Sequence, residues 1–131
     1  MAVSDGFIDF VLEQLEPLGN VSARRMFGGV GVYAGDVFFA VIDNDTLFLK
    51  VDETNVQAFV DAGMGPFRPY PDKPEASMSY YQVPAGVLED RDELIVWGRR
   101  AVEVGRASRT RTARRSRAKK RQTRTRRSSR R

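Results

Sequence analysis

Fourteen Lys and Arg side chains fall within the last 26 residues: Arg106, Arg109, Arg111, Arg114, Arg115, Arg117, Lys119, Lys120, Arg121, Arg124, Arg126, Arg127, Arg130 and Arg131. No Asp or Glu separates them. The chemistry on offer is that of a polycation, whose guanidinium and ammonium donors follow a line of phosphates without fixed geometry. Nucleic acid is the partner such a segment fits, through nonspecific contacts. Neutralising about eight phosphates of a duplex would give log K against log salt a slope of about −7. The run has no aromatic residue to stack on a base and no recognition helix, so sequence-specific reading is not expected of it. Competing readings are a solubility appendage and contact with anionic lipid; the absence of an apolar face or a lipidation motif speaks against a membrane partner. Ser108, Thr110, Thr112, Ser116, Thr123, Thr125, Ser128 and Ser129 are set among these cations. Phosphorylation there, at roughly −1.5 to −2 charge each, would cancel much of the attraction to nucleic acid.

Elsewhere the reactive inventory is short. The chain has no His and no Cys, which removes Ser-His-Asp and Cys-His nucleophilic pairs, imidazole or thiolate zinc sites, disulfides and thiol redox chemistry. Asp43, Asp45 and Asp52 do not make an EF-hand loop, since that spacing needs Gly at Phe48 and Glu at Thr54; turn residues and a helix cap are the simpler reading. Lys50 has no desolvating or cationic neighbour in the sequence and reads as a solvated lysine rather than a Schiff-base former. Arg24-Arg25 precede Met26-Phe27-Gly28-Gly29 and are the only basic doublet besides Arg99-Arg100 ahead of the terminal run. Phosphate contact is one reading of that doublet; the one preferred is a strand broken by a tight turn or bulge, since Gly28, Gly29 and Gly31 lack the following helix of a dinucleotide fingerprint. Tyr80 and Tyr81 alternate on a strand, so one is expected to pack inward and the other to be available at an edge. No paired acid and base emerges, and the expectation is a protein that is not an enzyme and uses no cofactor and no metal.

These residues need a scaffold, and the charge distribution shows where it lies. The 131 residues carry 22 Lys+Arg and 17 Asp+Glu, for a net charge of +5. Residues 1–105 hold all 17 acids and 8 of the cations, hence −9, while residues 106–131 are +14. A +14 segment tethered to a −9 domain can fold back on it and compete with nucleic acid. With no Leu, Ile, Val or aromatic residue, residues 106–131 cannot offset the entropy of ordering their backbone and are expected to be disordered alone. Residues 1–105 suffice for one core and not for two. The segment MAVSDGFIDF has no basic or apolar leader pattern, and the longest apolar run, Val37 to Ile42, is too short to span a bilayer. A cytoplasmic location is expected, with association with the nucleoid left open.

Within residues 1–105, Ser4 is placed to cap a helix whose Phe7, Val11, Leu15 and Leu18 share a face. Four short strands follow, Ala23–Phe27, Val30–Tyr33, Val37–Ile42 and Thr46–Val51, separated by turn residues so close together that an antiparallel meander is implied. Val37–Ile42 is apolar on both faces and should be central and covered. Asp52 is expected to cap a second helix carrying Val56, Phe59 and Val60 and closing at Gly63. Pro66, Pro69, Pro71 and Pro74 impose a connection without ladder pairing, and Ala76–Val83 reads as a further strand. Asp90-Arg91-Asp92-Glu93 opens a last helix bearing Leu94, Trp97, Ala101 and Val104, with Gly105 expected at the end of folded structure. The fold class is α+β: an antiparallel meander sheet packed with about three helices, followed by the basic tail.

RRMFGGVGVY (24–33), FFAVIDNDTLFLKVDETN (38–55), GPF (65–67), MSYYQVP (78–84) and LEDRDELIVWGRRA (88–101) together resemble the N-terminal domain of the TfoX/Sxy competence regulators, in the same order. The resemblance implies a secretion-chaperone-like α+β domain without known catalytic activity. It also implies a role in transcriptional regulation, in the name-giving members positive regulation of competence genes alongside a cAMP-responsive transcription factor. Those regulators carry a helical second domain where this chain has its Arg-rich tail. The expectation is a non-enzymatic regulator whose tail gives nonspecific nucleic-acid association. The alternative is a dimeric adaptor or chaperone-like module, binding a protein partner or a second copy, whose tail only aids solubility.

Overall fold

The computed structural model describes residues 3–26, 29–68 and 79–108. Ser4 is extended and its hydroxyl accepts from the Phe7 amide at 3.2 Å, which starts helix α1, Asp5–Leu15. Val11 and Leu15 are fully buried, and Phe7 and Leu18 pack against the same core. Pro17 shapes a 3₁₀ turn over Glu16–Leu18, after which Gly19, at φ +83°, redirects the chain into the sheet.

Five strands form an antiparallel meander in chain order: β1 Val21–Met26, β2 Gly29–Ala34, β3 Val37–Asp43, β4 Thr46–Lys50 and β5 Tyr80–Gln82. Asn44 and Asp45 turn β3 into β4 with φ of +51° and +50°, the double positive φ that two-residue hairpins favour because it matches strand twist. Asp45 does more than turn the chain, for its carboxylate accepts from the Ser4 amide at 2.8 Å and the Ser4 hydroxyl at 3.1 Å, tying the start of α1 to this hairpin. β3 is the middle strand, as its apolar run requires. Its pairing with β2 slips by one residue, Val32 opposite Ala40 but Tyr33 opposite Phe38, so Phe39 is an extra residue and both Phe39 and Ala40 join the helical-side core.

Two expectations near β4 change. Helix α2 is Val56–Asp61 and does not start from an Asp52 cap; Asn55 occupies the cap position. Asp52 instead holds the preceding turn, its carboxylate accepting from the Thr54 amide at 2.8 Å and the Thr54 hydroxyl at 2.5 Å. Asn55 is buried because its side chain accepts from the Asp52 amide at 2.8 Å and donates to the Lys50 carbonyl at 3.1 Å, satisfying groups that would otherwise be costly to bury. The stretch 65–68 runs beside β5: the Phe67 amide donates to the Tyr80 carbonyl and the Gln82 amide to the Gly65 carbonyl. Residues 69–78, including the expected start of the last strand at Ala76, lie outside the described residues.

A short helix, α3 (Ala85–Glu89), precedes the expected last one and brings the number of α-helices to four among the described residues. The Asp90 carboxylate accepts from the Glu93 amide at 3.2 Å and opens α4, helical over residues 91–108. Leu94 and Ala101 are fully buried, and Trp97 meets Phe59 of α2 edge-on at 4.7 Å. Gly105 does not end the fold. It is buried inside α4, where a Cβ would lie 2.8 Å from Val37 Cγ1 and 3.0 Å from the Phe38 carbonyl oxygen. The glycine is there because helix and strand touch, and α4 continues beyond it.

Candidate nucleic-acid interface

The fourteen tail cations divide at the end of the described region. Arg106 is in the last described turn of α4 and is exposed; Arg109, Arg111, Arg114, Arg115, Arg117, Lys119, Lys120, Arg121, Arg124, Arg126, Arg127, Arg130 and Arg131 lie outside the described residues, as does the expectation of disorder from residue 109 onward. The helix leading to them is seated on β3 by the Gly105 contact, so the tail is rooted at the strand that carries Phe38.

The other basic residues singled out in the sequence do not form one patch. Neighbours on a strand point to opposite faces, and β1 separates Arg24 from Arg25. The Arg25 guanidinium pairs with Asp5 of α1 at 2.6 Å, an exposed pair that contributes little stability. Arg24 turns to the opposite face of the sheet, its guanidinium 5.1 Å from the centre of the Tyr33 ring. Arg99 and Arg100 are exposed on α4 and line a groove of about 600 Å³ together with Asp52 and Glu103; this mixture of signs does not favour a phosphate.

That opposite face carries a set of residues that motif reading does not pick out. Tyr33 and Phe38 face each other across the β2–β3 pair and stack at 5.1 Å. Phe38 meets Tyr80 of β5 at 5.6 Å, and Lys50 Nζ lies 4.8 Å over the Tyr80 ring. A cation therefore stands at each end of a run of three rings. Gly31 makes room for it: a Cβ there would lie 2.6 Å from Met26 Cε and 3.1 Å from a Phe38 ring carbon. Beside the run, Phe48 packs on Phe67 at 4.8 Å, and Val41, Phe67 and Tyr80 form a small core of their own. A usable signal was present in the sequence, since Tyr33 and Phe38 are equidistant from the Gly35-Asp36 turn and a two-residue hairpin must pair them.

Two sequence expectations are corrected here. Neither tyrosine of the Tyr80-Tyr81 pair is left at an open edge: Tyr80 is buried in the aromatic run, and Tyr81 packs on Phe59 on the helical side, because both faces of β5 are covered. Burial pushes the Tyr80 phenol up to about 12, with the neighbouring Tyr33 adding to the rise. Lys50 is not a plain solvated lysine, being half-buried against a ring.

Three of the carboxylates have structural roles, Asp45 with Ser4, Asp52 with Thr54 and Asp90 with Glu93. Among the described residues no cluster of three or more Asp or Glu is arranged to hold a metal ion, and no helix is long and apolar enough to cross a membrane. No curated protein matches the chain. The family model described as the TfoX N-terminal domain matches residues 13–105. That range takes in the whole meander, α2, α3 and α4 as far as the glycine seated on β3, and the chain belongs to the TfoX N-terminal domain family.

Proposed function

We propose that the protein is a cytoplasmic, non-enzymatic regulator, acting in transcription or competence-type control, which its basic tail holds on nucleic acid without sequence preference. The observation that carries this reading is the placement of 14 of the 22 cations in 26 acid-free residues, which begin in the last described turn of a helix seated on the sheet. A polycation rooted on a rigid domain localises that domain to phosphate-rich polymers while leaving its surfaces free for a protein partner. Family membership supports the regulatory part of the reading, and the absence of His and Cys, with Asp45, Asp52 and Asp90 engaged in caps and turns, supports the non-enzymatic part.

The test is a salt titration of duplex binding by the full chain and by a full-length variant with the Lys and Arg of residues 109–131 replaced by Gln. Keeping the chain unaltered through Ser108 preserves the described length of α4, which a cut at Gly105 would not. The expected result is a log–log slope of about −7 that falls nearly to zero in the neutralised variant. Equal slopes in the two proteins would refute the tail as anchor and favour the adaptor reading, in which the folded domain binds a protein partner or a second copy and the tail serves solubility.

A further inference from the structure

We infer that the outer face of the sheet is a second, independent nucleic-acid site that takes single-stranded bases on Tyr33 and Phe38 and their phosphates on Arg24 and Lys50. Its first ground is composition. The face combines planar rings with cations, the pairing by which single strands are held irrespective of sequence. Its second ground is the placement of charge around the rings. The α1 helix and its 3₁₀ extension bear Asp5, Asp9, Glu13 and Glu16 and no cation, whereas the outer strand face has cations at both ends of its ring run, the strand acid Asp43 being at the far end beside Thr46. A domain that is −9 over residues 1–105 repels polyanions in general, so an anionic strand needs cations beside the rings it covers, and Arg24 and Lys50 stand there.

The third ground is accessibility. Tyr33, Phe38 and Phe48 are half-buried rather than enclosed, and Arg24 is exposed, which leaves ring surface for a base to cover. Duplex DNA cannot use it, because its bases are stacked on one another and show only their edges. Selectivity for single strands is therefore the property that separates this face from the tail, which meets any phosphate backbone alike.

The experiment measures fluorescence anisotropy of a labelled ten-nucleotide thymidine strand and of a ten-base-pair duplex with the full chain, at roughly 0.3 M salt to suppress the tail's contribution. Two full-length variants accompany it: Tyr33→Leu, which keeps apolar bulk and removes the ring, and Arg24→Gln, an exposed change that leaves the fold intact. The expected result is tighter binding of the single strand than of the duplex, with a loss of about tenfold for Tyr33→Leu, a smaller loss for Arg24→Gln, and duplex binding unchanged by either. Equal affinity for the two nucleic acids, unaltered by both variants, would overturn the site while leaving the tail reading intact. Light scattering that shows a dimer dissociated by these substitutions, without single-strand preference, would also overturn it, in favour of a second copy on this face. Single-strand preference that persists when residues 109–131 are neutralised would sustain the site even if the tail anchor fails.

Discussion

On the helical side of the sheet, Val32, Ala40 and Leu49 line up across three strands and are wholly shielded beneath α1, α2 and α4. One residue along β2 and β4, and two along β3 because of its bulge, the other side presents Tyr33, Phe38, Phe48 and Lys50, all half-buried. The aliphatic side gains stability by excluding water from close-packed branched side chains, each fully buried one contributing roughly 1.5 to 3 kcal/mol. The aromatic side holds larger rings at separations of about 5 Å, where pair geometry adds roughly 0.5 to 1.5 kcal/mol each and ring surface remains for a ligand. The difference teaches that one sheet divides its labour by face: the side covered by helices makes the fold, and the side left partly open carries the chemistry a partner would meet.

Three predictions probe that division, the largest effect first. Leu94→Ala on α4 removes a fully buried side chain from the helical-side core and should cost about 3 kcal/mol in urea unfolding, with little change in m-value. A loss below about 1 kcal/mol would show that the helical layer is not the stabilising one. Second, the outer face should have its own pH signature through Tyr80. Its folded pKa is raised from 10.0 to about 12, so the folded state holds the proton more tightly than the unfolded state. Stability from this source is therefore fully present below about pH 10 and is lost as pH rises to about 12, on the order of 2 to 3 kcal/mol. Urea midpoints across that window should fall in the native protein and fall much less in Tyr80→Phe; parallel curves would break the claim that Tyr80 is buried within the aromatic run. Third, Gly105→Ala tests the joint where α4 meets β3. Helix propensity favours Ala by about 1 kcal/mol, but the added Cβ meets the Phe38 backbone oxygen at 3.0 Å, which cannot rotate aside. A net loss of about 1 kcal/mol is expected by thermal unfolding, and a gain would mean that the helix end is not held against the strand.

Much of this architecture is written locally. Ser4 caps α1 as its hydroxyl and position demand, Asp90 opens α4, and the turn residues between β2, β3 and β4 force neighbouring strands to pair. Where local reading failed, a residue's role depended on something distant. Asp52 looks like a helix cap, yet the helix waits until Val56 because Thr54 and Asn55 engage the turn first. Asp45 looks like a turn residue and is one, but no local pattern shows that it also fastens Ser4, 41 positions away. Gly105 has the appearance of a helix stop and is instead a contact point.

The sequence alone determined the separation of a folded acidic region from a polycation, the exclusion of His and Cys chemistry, the meander and its central apolar strand, since each follows from composition, two- or 3.6-residue periodicity, or turn preference. Only the tertiary structure decided which face each ring and cation occupies. The bulge at Phe39 changes the facing within β3, and β5 returns across the sheet edge from far along the chain to set Tyr80 against Phe38 and Lys50. Contacts between residues so far apart in sequence depend on the packing of the whole sheet, and no local window of the chain contains them.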